Sequence, residues 1–163
     1  MDLILWRHAE AEEALPGQHD SERRLTAKGR QQATKMALWL RAHLPKDTKV
    51  IASPARRTQE TATQLGLPFS TDRRLAIGLS PSDALSVMSG AEQTECHLLV
   101  GHQPMLGQII GKLLQSQVSD WAVKKGSIWW FSSNEGEDGD IGPFSNITLK
   151  CVLTVKDIES RKP

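Results

Sequence analysis

Apolar residues fall along the chain in short continuous runs that alternate with stretches of helical spacing. Leu3 to Trp6 is an apolar run that stops abruptly at Arg7-His8, which predicts a short buried strand. Residues 9–25 are polar and contain Pro16-Gly17. They predict a long loop, and loops of that length are often functional. From Thr26, a predicted N-cap, the residues Ala33, Met36, Ala37, Leu40 and Leu44 recur on one helical face as far as Pro45. Val50-Ile51-Ala52 predicts a second strand. Ser53-Pro54 follows as an expected N-cap with proline at the first helical position, and the helix should run to about Gly66.

The stretch 67–79 carries no regular pattern. Ser80-Pro81, with Asp83 in the first turn, repeats the helix-start signal, and Ala84, Leu85, Val87 and Met88 continue it toward Gly90. Leu98-Leu99-Val100 predicts a third strand, broken by Gly101-His102. Pro104 then opens a helix with Leu106, Ile109, Ile110, Leu113 and Leu114 on one face. Ser127 to Phe131 and Ile147 to Val155 predict two closing strands, separated by an acidic, glycine-rich stretch from Asn134 to Gly142. Strands alternating with helices predict an α/β fold, a single-domain three-layer sandwich over residues 1–163. Its central sheet should be mostly parallel and flanked by helices, with the last strands antiparallel.

A hydrophobic content of 39% in 163 residues is enough for a core. Lys and Arg total 20 against 19 Asp and Glu, a net charge of +1. That balance gives no broad electrostatic footprint for nucleic acid. No apolar run approaches the ~20 residues of a membrane helix, and the first residues lack the basic lead and apolar core of a signal peptide. Cys96 and Cys151 lie in apolar runs without metal-ligand spacing, which reads as buried free thiols in a reducing compartment. A soluble cytoplasmic protein, with neither nucleic acid nor membrane as partner, is expected.

Three strand ends finish in similar chemistry: Arg7-His8, Ser53-Pro54-Ala55-Arg56-Arg57 and Gly101-His102. Ligands of open α/β sheets bind at the carboxyl ends of strands, so these groups should face one crevice. Two histidines with two or three arginines make an anion site, and phosphate is its obvious occupant. Helix N-termini at Pro54 and Pro104 would add to the positive field. Arg57 follows Ser53 by about one helical turn, and helical side chains tilt back toward the N-terminus, which aims Arg57 at the strand ends. Arg56, roughly 100° around the helix, should be solvated.

Other candidates read as ordinary structure. His19 and His43 fall at surface positions, and His97 opens its strand at the wrong end. Arg23 and Arg24 read as a solvated pair at the crevice border. Trp129 and Trp130 alternate across a strand, so at most one should face the core. The run Asn134 to Asp140 lacks the closing glutamate of a calcium loop and has Gly136 at a ligand position.

Four motifs together carry a resemblance. Arg7-His8-Ala9, Leu25-Thr26-Ala27-Lys28-Gly29, the S-P-x-x-R-x-x-x-T run from Ser53 to Thr61, and Val100-Gly101-His102 resemble the histidine phosphatase superfamily, in its order and at its spacings. The match covers residue 3 to about 115 and is strongest to the small SixA-type phosphohistidine phosphatases. It implies a phosphoglycerate mutase-like sandwich. His8 would be the nucleophile, forming a phosphohistidine that water then hydrolyses. It must be neutral to attack, which an ordinary pKa of about 6.5 allows. Arg7 and Arg57 would clamp the phosphoryl oxygens, and His102, as an imidazolium donor, would stabilise their charge. Arginines and imidazolium would stand in for a metal, so no cofactor is implied. Ala9 departs from the pattern, where glycine is usual.

Family members that hydrolyse alcohol phosphates carry a carboxylic acid in the segment after the second helix. Here Leu75 to Pro81 holds neither Glu nor Asp. Asp83 comes next, and Glu10 and Glu12 follow the nucleophile. An alkoxide needs a proton as it leaves, a contribution of typically 10²–10⁴-fold, whereas an imidazole with a pKa near 6.5 needs far less help. The pattern therefore favours P–N over P–O bonds, and the short chain leaves little for a lid. The expected substrate is a histidine-phosphorylated protein in signal transduction, such as a phosphotransfer domain or phosphotransferase-system carrier, acted on by a monomer. The alternatives are a small-molecule phosphomonoesterase using Glu10, Glu12 or Asp83, and a non-catalytic phosphoprotein-binding module.

Overall fold

Side chains of the first strand divide between two cores. In β1 (Asp2–Arg7), Ile4 and Trp6 pack on one face of the sheet, and Leu3 and Leu5 on the other. These are coordinates of a computed structural model describing residues 1–91, 95–117, 120–133 and 146–160. The acidic stretch from Asn134 to Gly142, and with it the calcium-loop candidate, lies outside the described residues.

The chain continues through α1 (Ala27–His43), β2 (Lys49–Ala52), α2 (Arg56–Thr63), β3 (Ser70–Thr71) and α3 (Pro81–Leu85). After these come β4 (Cys96–Gly101), α4 (Met105–Leu113), β5 (Ile128–Ser133), β6 (Ile147–Leu153) and α5 (Val155–Glu159). The sheet order is β3-β2-β4-β1-β5-β6. The first four strands are parallel, whereas β5 and β6 pair antiparallel. Met36 and Leu40 of α1 and Ala62 of α2 cover one face. Leu106, Ile109 and Ile110 of α4, with Ala84 of α3, cover the other. Burying each Leu, Ile or Met contributes about 1.5–3 kcal/mol, so these two faces supply the sandwich's main cohesion.

Several local expectations change. β3 lies in the stretch without a pattern and is two residues long, too short to show a period. Ser53 does not cap α2, whose N-cap is Ala55 without a side-chain hydrogen bond. Thr26 and Ser80 do cap their helices, accepting from the N–H groups of Gly29 and Asp83. The last strand stops at Leu153, because the Asp157 carboxylate accepts the N–H of Thr154 at 2.7 Å and opens α5. The tryptophan expectation fails: both faces of the sheet are covered, so Trp130 packs in one cluster while Trp129 packs against the other. No helix among the described residues is long and apolar enough to cross a membrane.

Candidate active site

Because β4 lies between β1 and β2 and all three run parallel, their carboxyl ends open side by side. The pairing extends one residue past the strands. His8 N–H donates to the Gly101 carbonyl at 3.1 Å, and Ser53 N–H donates to the Val100 carbonyl at 3.0 Å. His8, Ser53 and His102 are thereby brought together, and the His8 and His102 ring centroids stand 5.2 Å apart.

The hydrogen-bond network assigns the tautomer of His8. His8 Nδ1 lies 2.7 Å from the Ala9 carbonyl oxygen. A carbonyl only accepts, so Nδ1 carries the proton and Nε2 keeps its lone pair. Arg57 Nε–H donates to that Nε2 at 3.3 Å. For His102, Nε2 lies 2.8 Å from the Ser53 hydroxyl, which also accepts from Ala55 N–H. The hydroxyl has one hydrogen and two lone pairs, so it meets Nε2 in either tautomer; when it donates, the ring proton sits on Nδ1. That Nδ1 is buried and has no hydrogen-bond partner. One ring thus offers a lone pair and the other an unpartnered ring nitrogen.

Burial pushes both rings far from protonation. His8 falls to about 3, chiefly by burial, with the charges of Arg57, Arg7 and Arg23 adding to it. His102 falls to about 3 by burial first, then by His8 and Arg57. The imidazolium expected at His102 is therefore corrected: burial beside two arginines favours the neutral ring.

Arg7 and Arg57 complete the cationic wall. Arg7 Nη1 donates to the Val123 carbonyl at 2.5 Å, while its buried Nε has no partner. Burial and then Arg57 lower the Arg7 pKa. Gly126 N–H spans the carbonyls of Arg7 and His8 at 3.2 and 3.1 Å, and its own carbonyl accepts the Trp6 indole N–H at 3.2 Å. Arg57 is buried on α2, as its position on the helix predicts, although the helix begins two residues later than Ser53-Pro54 signals. Arg56 is exposed and pairs with Glu60 at 2.9 Å.

The remaining motif residues hold the backbone behind the nucleophile. Ala9 N–H donates to Thr61 Oγ1 at 3.2 Å, and that hydroxyl donates to the Arg57 carbonyl at 2.7 Å. Among the described residues, the left-handed non-glycine positions are Gln115 and Asn146, so the backbone at Ala9 does not require glycine. Gly29 does more than permit a turn. A Cβ there would sit 1.9 Å from the Glu10 carbonyl oxygen, so only glycine lets α1 approach the loop this closely. Thr26 N–H donates to that same carbonyl at 3.0 Å.

None of the three carboxylates weighed as an acid joins this group. Glu10 is hydrogen-bonded to Thr26 and ion-paired with Lys28 at 3.2 Å. Asp83 serves the capping box of α3, and Glu12 is exposed. The carboxylate that does arrive is one the sequence reading passed over. Asp20 Oδ2 accepts from Arg57 Nη2 at 2.8 Å, and Oδ1 pairs with Arg23 at 2.8 Å. Burial works to raise its pKa, but Arg57 and then Arg23 outweigh it and hold the carboxyl below its ordinary value. Arg23 and Arg24 are accordingly not a solvated pair: Arg24 is exposed, whereas Arg23 is partly enclosed and binds Asp20. His43 stacks on Trp39, and His97 is buried beside Glu95 at the far end of β4.

Beside His102 lies a cleft of about 130 Å³ lined by Ala76, Ile77, Leu79, Gln103 and Met105 among others. Among the described residues, no group of three or more His, Cys, Asp or Glu is set to hold a metal.

A lone-pair imidazole flanked by arginines and a second imidazole, at the end of a parallel sheet, defines a histidine-centred phosphatase. The chain belongs to the histidine phosphatase superfamily: the model of its branch 1 matches residues 3–76. A phosphohistidine phosphatase SixA homolog of Haemophilus influenzae is 30% identical over 129 residues, covering 69% of this chain and 77% of the relative. The phosphohistidine phosphatase SixA of Escherichia coli is 26% identical over 121 residues, 69% of this chain and 74% of that protein. The structure of the protein histidine phosphatase SixA complexed with tungstate superposes with a TM-score of 0.72 at 21% identity. That match covers 97% of this chain and 99% of the other.

Proposed function

We propose that the protein is a phosphohistidine phosphatase that takes the phosphoryl group from a histidine-phosphorylated protein onto His8 and then releases it to water. The observation that carries this is the state of the carboxylate nearest the arginines. Asp20 is held ionised by Arg57 and Arg23, so it has no proton to give a departing oxygen. Imidazole leaves from nitrogen and makes little demand for that proton.

Each side chain then has a role. His8 Nε2 attacks phosphorus, with Nδ1–H anchored on the Ala9 carbonyl so that the ring stays aimed. Arg7 and Arg57 hold the phosphoryl oxygens, and His102, with its proton on Nδ1, donates to one of them as charge develops. The substrate's ring, protonated on its other nitrogen, leaves as neutral imidazole as its bond to phosphorus breaks and the bond to His8 Nε2 forms. Water then attacks phosphorus, His8 leaves, and inorganic phosphate is released. The cationic donors supply positive charge without a metal. Tungstate is a tetrahedral oxyanion like phosphate, and the structural relative that carries it supports an oxyanion site on this fold. The apolar cleft beside His102, with Ile77 and Leu79 partly exposed at it, suits a flat heteroaromatic leaving group.

The test is a side-by-side assay of the purified protein against a phosphohistidine protein and a panel of phosphate monoesters. The phosphohistidine protein should be hydrolysed at least 10²-fold more efficiently, in keeping with a missing acid. Equal or better turnover of an alkyl phosphate would overturn the assignment.

A further inference from the structure

The loop between β1 and α1 delivers Asp20 to Arg57 by two independent bonds. The Asp20 backbone carbonyl accepts from Arg57 Nη1 at 2.7 Å, and its Oδ2 accepts from Nη2 at 2.8 Å. The Arg57 side chain is 4% exposed and that of Asp20 47%, so the aspartate covers the arginine from the solvent side. Asp20 heads a short 3-10 turn, Asp20–Glu22, in which Ser21 N–H donates to His19 Nδ1 at 3.3 Å. Arg23 braces the other carboxylate oxygen.

A guanidinium has five N–H bonds in one plane. In Arg57, Nε–H points to His8 Nε2, and one N–H on each Nη goes to Asp20. Two remain, one on each Nη. We propose that Asp20 is a positioning residue, which fixes the Arg57 guanidinium beside His8 and leaves those two N–H bonds, joined by Nε–H once it is released from the His8 lone pair, for the phosphoryl oxygens. This rests on the crevice being a phosphoryl site, and not on which substrate carries the group.

The physical case lies in two opposed effects of one carboxylate. Asp20 is about half open to water, which screens its attraction to Arg57 and keeps the pair's part in stability small, and the two sandwich clusters hold no residue of the Asp20 turn. Its negative charge also sits beside an anion site, where it weakens phosphate binding. The carboxylate thus opposes ground-state binding while its side-chain and backbone bonds fix the geometry of the clamp. A misplaced clamp costs on the order of 10²-fold in rate.

Asp20→Ala should therefore lower kcat by about 10–10²-fold on para-nitrophenyl phosphate and on a small phosphoramidate. Inorganic phosphate should bind that variant as tightly as the wild type or more so, and its melting temperature should stay close to wild type. Asp20→Asn keeps an oxygen acceptor without the charge and should recover most of kcat. Glu13→Gln, an exposed change in the same loop, controls for loop charge. Full kcat in Asp20→Ala would overturn the proposal. So would a fall in kcat matched by weaker phosphate binding and a lower melting temperature, which would make Asp20 merely structural. The Arg57 Nε–H resonance gives a readout that needs no turnover. It should be sharp and slow to exchange in the wild type and broadened in Asp20→Ala. Should the wild type hydrolyse neither substrate, the phosphatase assignment fails, while an unchanged Arg57 resonance would separately refute the role of Asp20.

Discussion

Arg57 Nε donates its hydrogen to Nε2 of His8 at 3.3 Å, so the lone pair proposed to attack phosphorus is engaged by the same arginine proposed to clamp the phosphoryl group. An arriving phosphoryl group relieves this contact by giving Arg57 an anionic acceptor instead of a neutral one. Charge-assisted bonds of this kind are roughly twice as strong as neutral ones, so the exchange favours both binding and release of the nucleophile.

His8→Ala should abolish turnover and the phosphoenzyme together. Rapid-quench labelling with a phosphoryl donor checks it, and phosphate still found on the variant would place the nucleophile elsewhere.

The paired arginines should separate cleanly. Arg57→Ala should lower kcat/KM by at least 10²-fold, on the order of 3 kcal/mol of transition-state stabilisation. Arg57→Lys should rescue poorly, because an ammonium cannot reach His8, Asp20 and a phosphoryl group at once. Arg56→Ala should stay within about twofold on a small substrate, since an exposed i,i+4 pair contributes only about 0.3–0.5 kcal/mol. Steady-state kinetics of the three variants decide it.

Acid should act on stability before it acts on the nucleophile. His8 and His102 titrate at about 3 in the folded protein and at about 6.5 in an unfolded chain. Between those values the unfolded chain binds more protons, so stability falls as pH drops from about 6.5 toward 3 and is complete above that window. Urea titrations from pH 7 to 4 should show this slope, and His8→Gln should flatten it. By contrast kcat/KM, corrected for ionisation of the substrate, should stay level from about pH 8 to 5, because His8 remains neutral throughout.

Gly29→Ala should injure the site from outside it. The added methyl would collide with the Glu10 carbonyl, and overpacking of this kind costs typically about 1–3 kcal/mol. Chemical denaturation should register the loss, and kcat should fall with it as the residues after His8 shift.

A chelator should leave activity unchanged. If EDTA abolished turnover and Mg²⁺ restored it, the arginines would not be the source of positive charge.

Much of this arrangement is written locally, and the rest is not. Arg7, His8, Arg57 and His102 sit just beyond strand or helix-start signals, so their convergence follows from the rule that parallel strands open on one side. Ser53 shows the limit of such signals. A serine before proline reads as a cap, yet its hydroxyl is spent on His102, a partner 49 residues away. Asp20 carries no local signature either, since an aspartate in a polar loop is ordinary until Arg57 is placed against it. The grip of Val123 on Arg7 is more hidden still, because a backbone carbonyl leaves no trace in residue type. β3 escaped for a different reason, being a two-residue edge held by the register of β2.

The position of β1 sets the order in which the site can come into being. It pairs on one side with β4, beginning at Cys96, and on the other with β5, beginning at Ile128. The strand that ends at His8 thus has no neighbour until some ninety residues later in the chain and no second neighbour until β5 emerges. Pairing between such distant segments forms late and cooperatively. A nascent chain therefore carries its reactive imidazole in a solvated, ordinary state through most of its synthesis. The burial that displaces its pKa arrives only with those later strands and with the segment around Gly126, whose N–H bonds the carbonyls of Arg7 and His8.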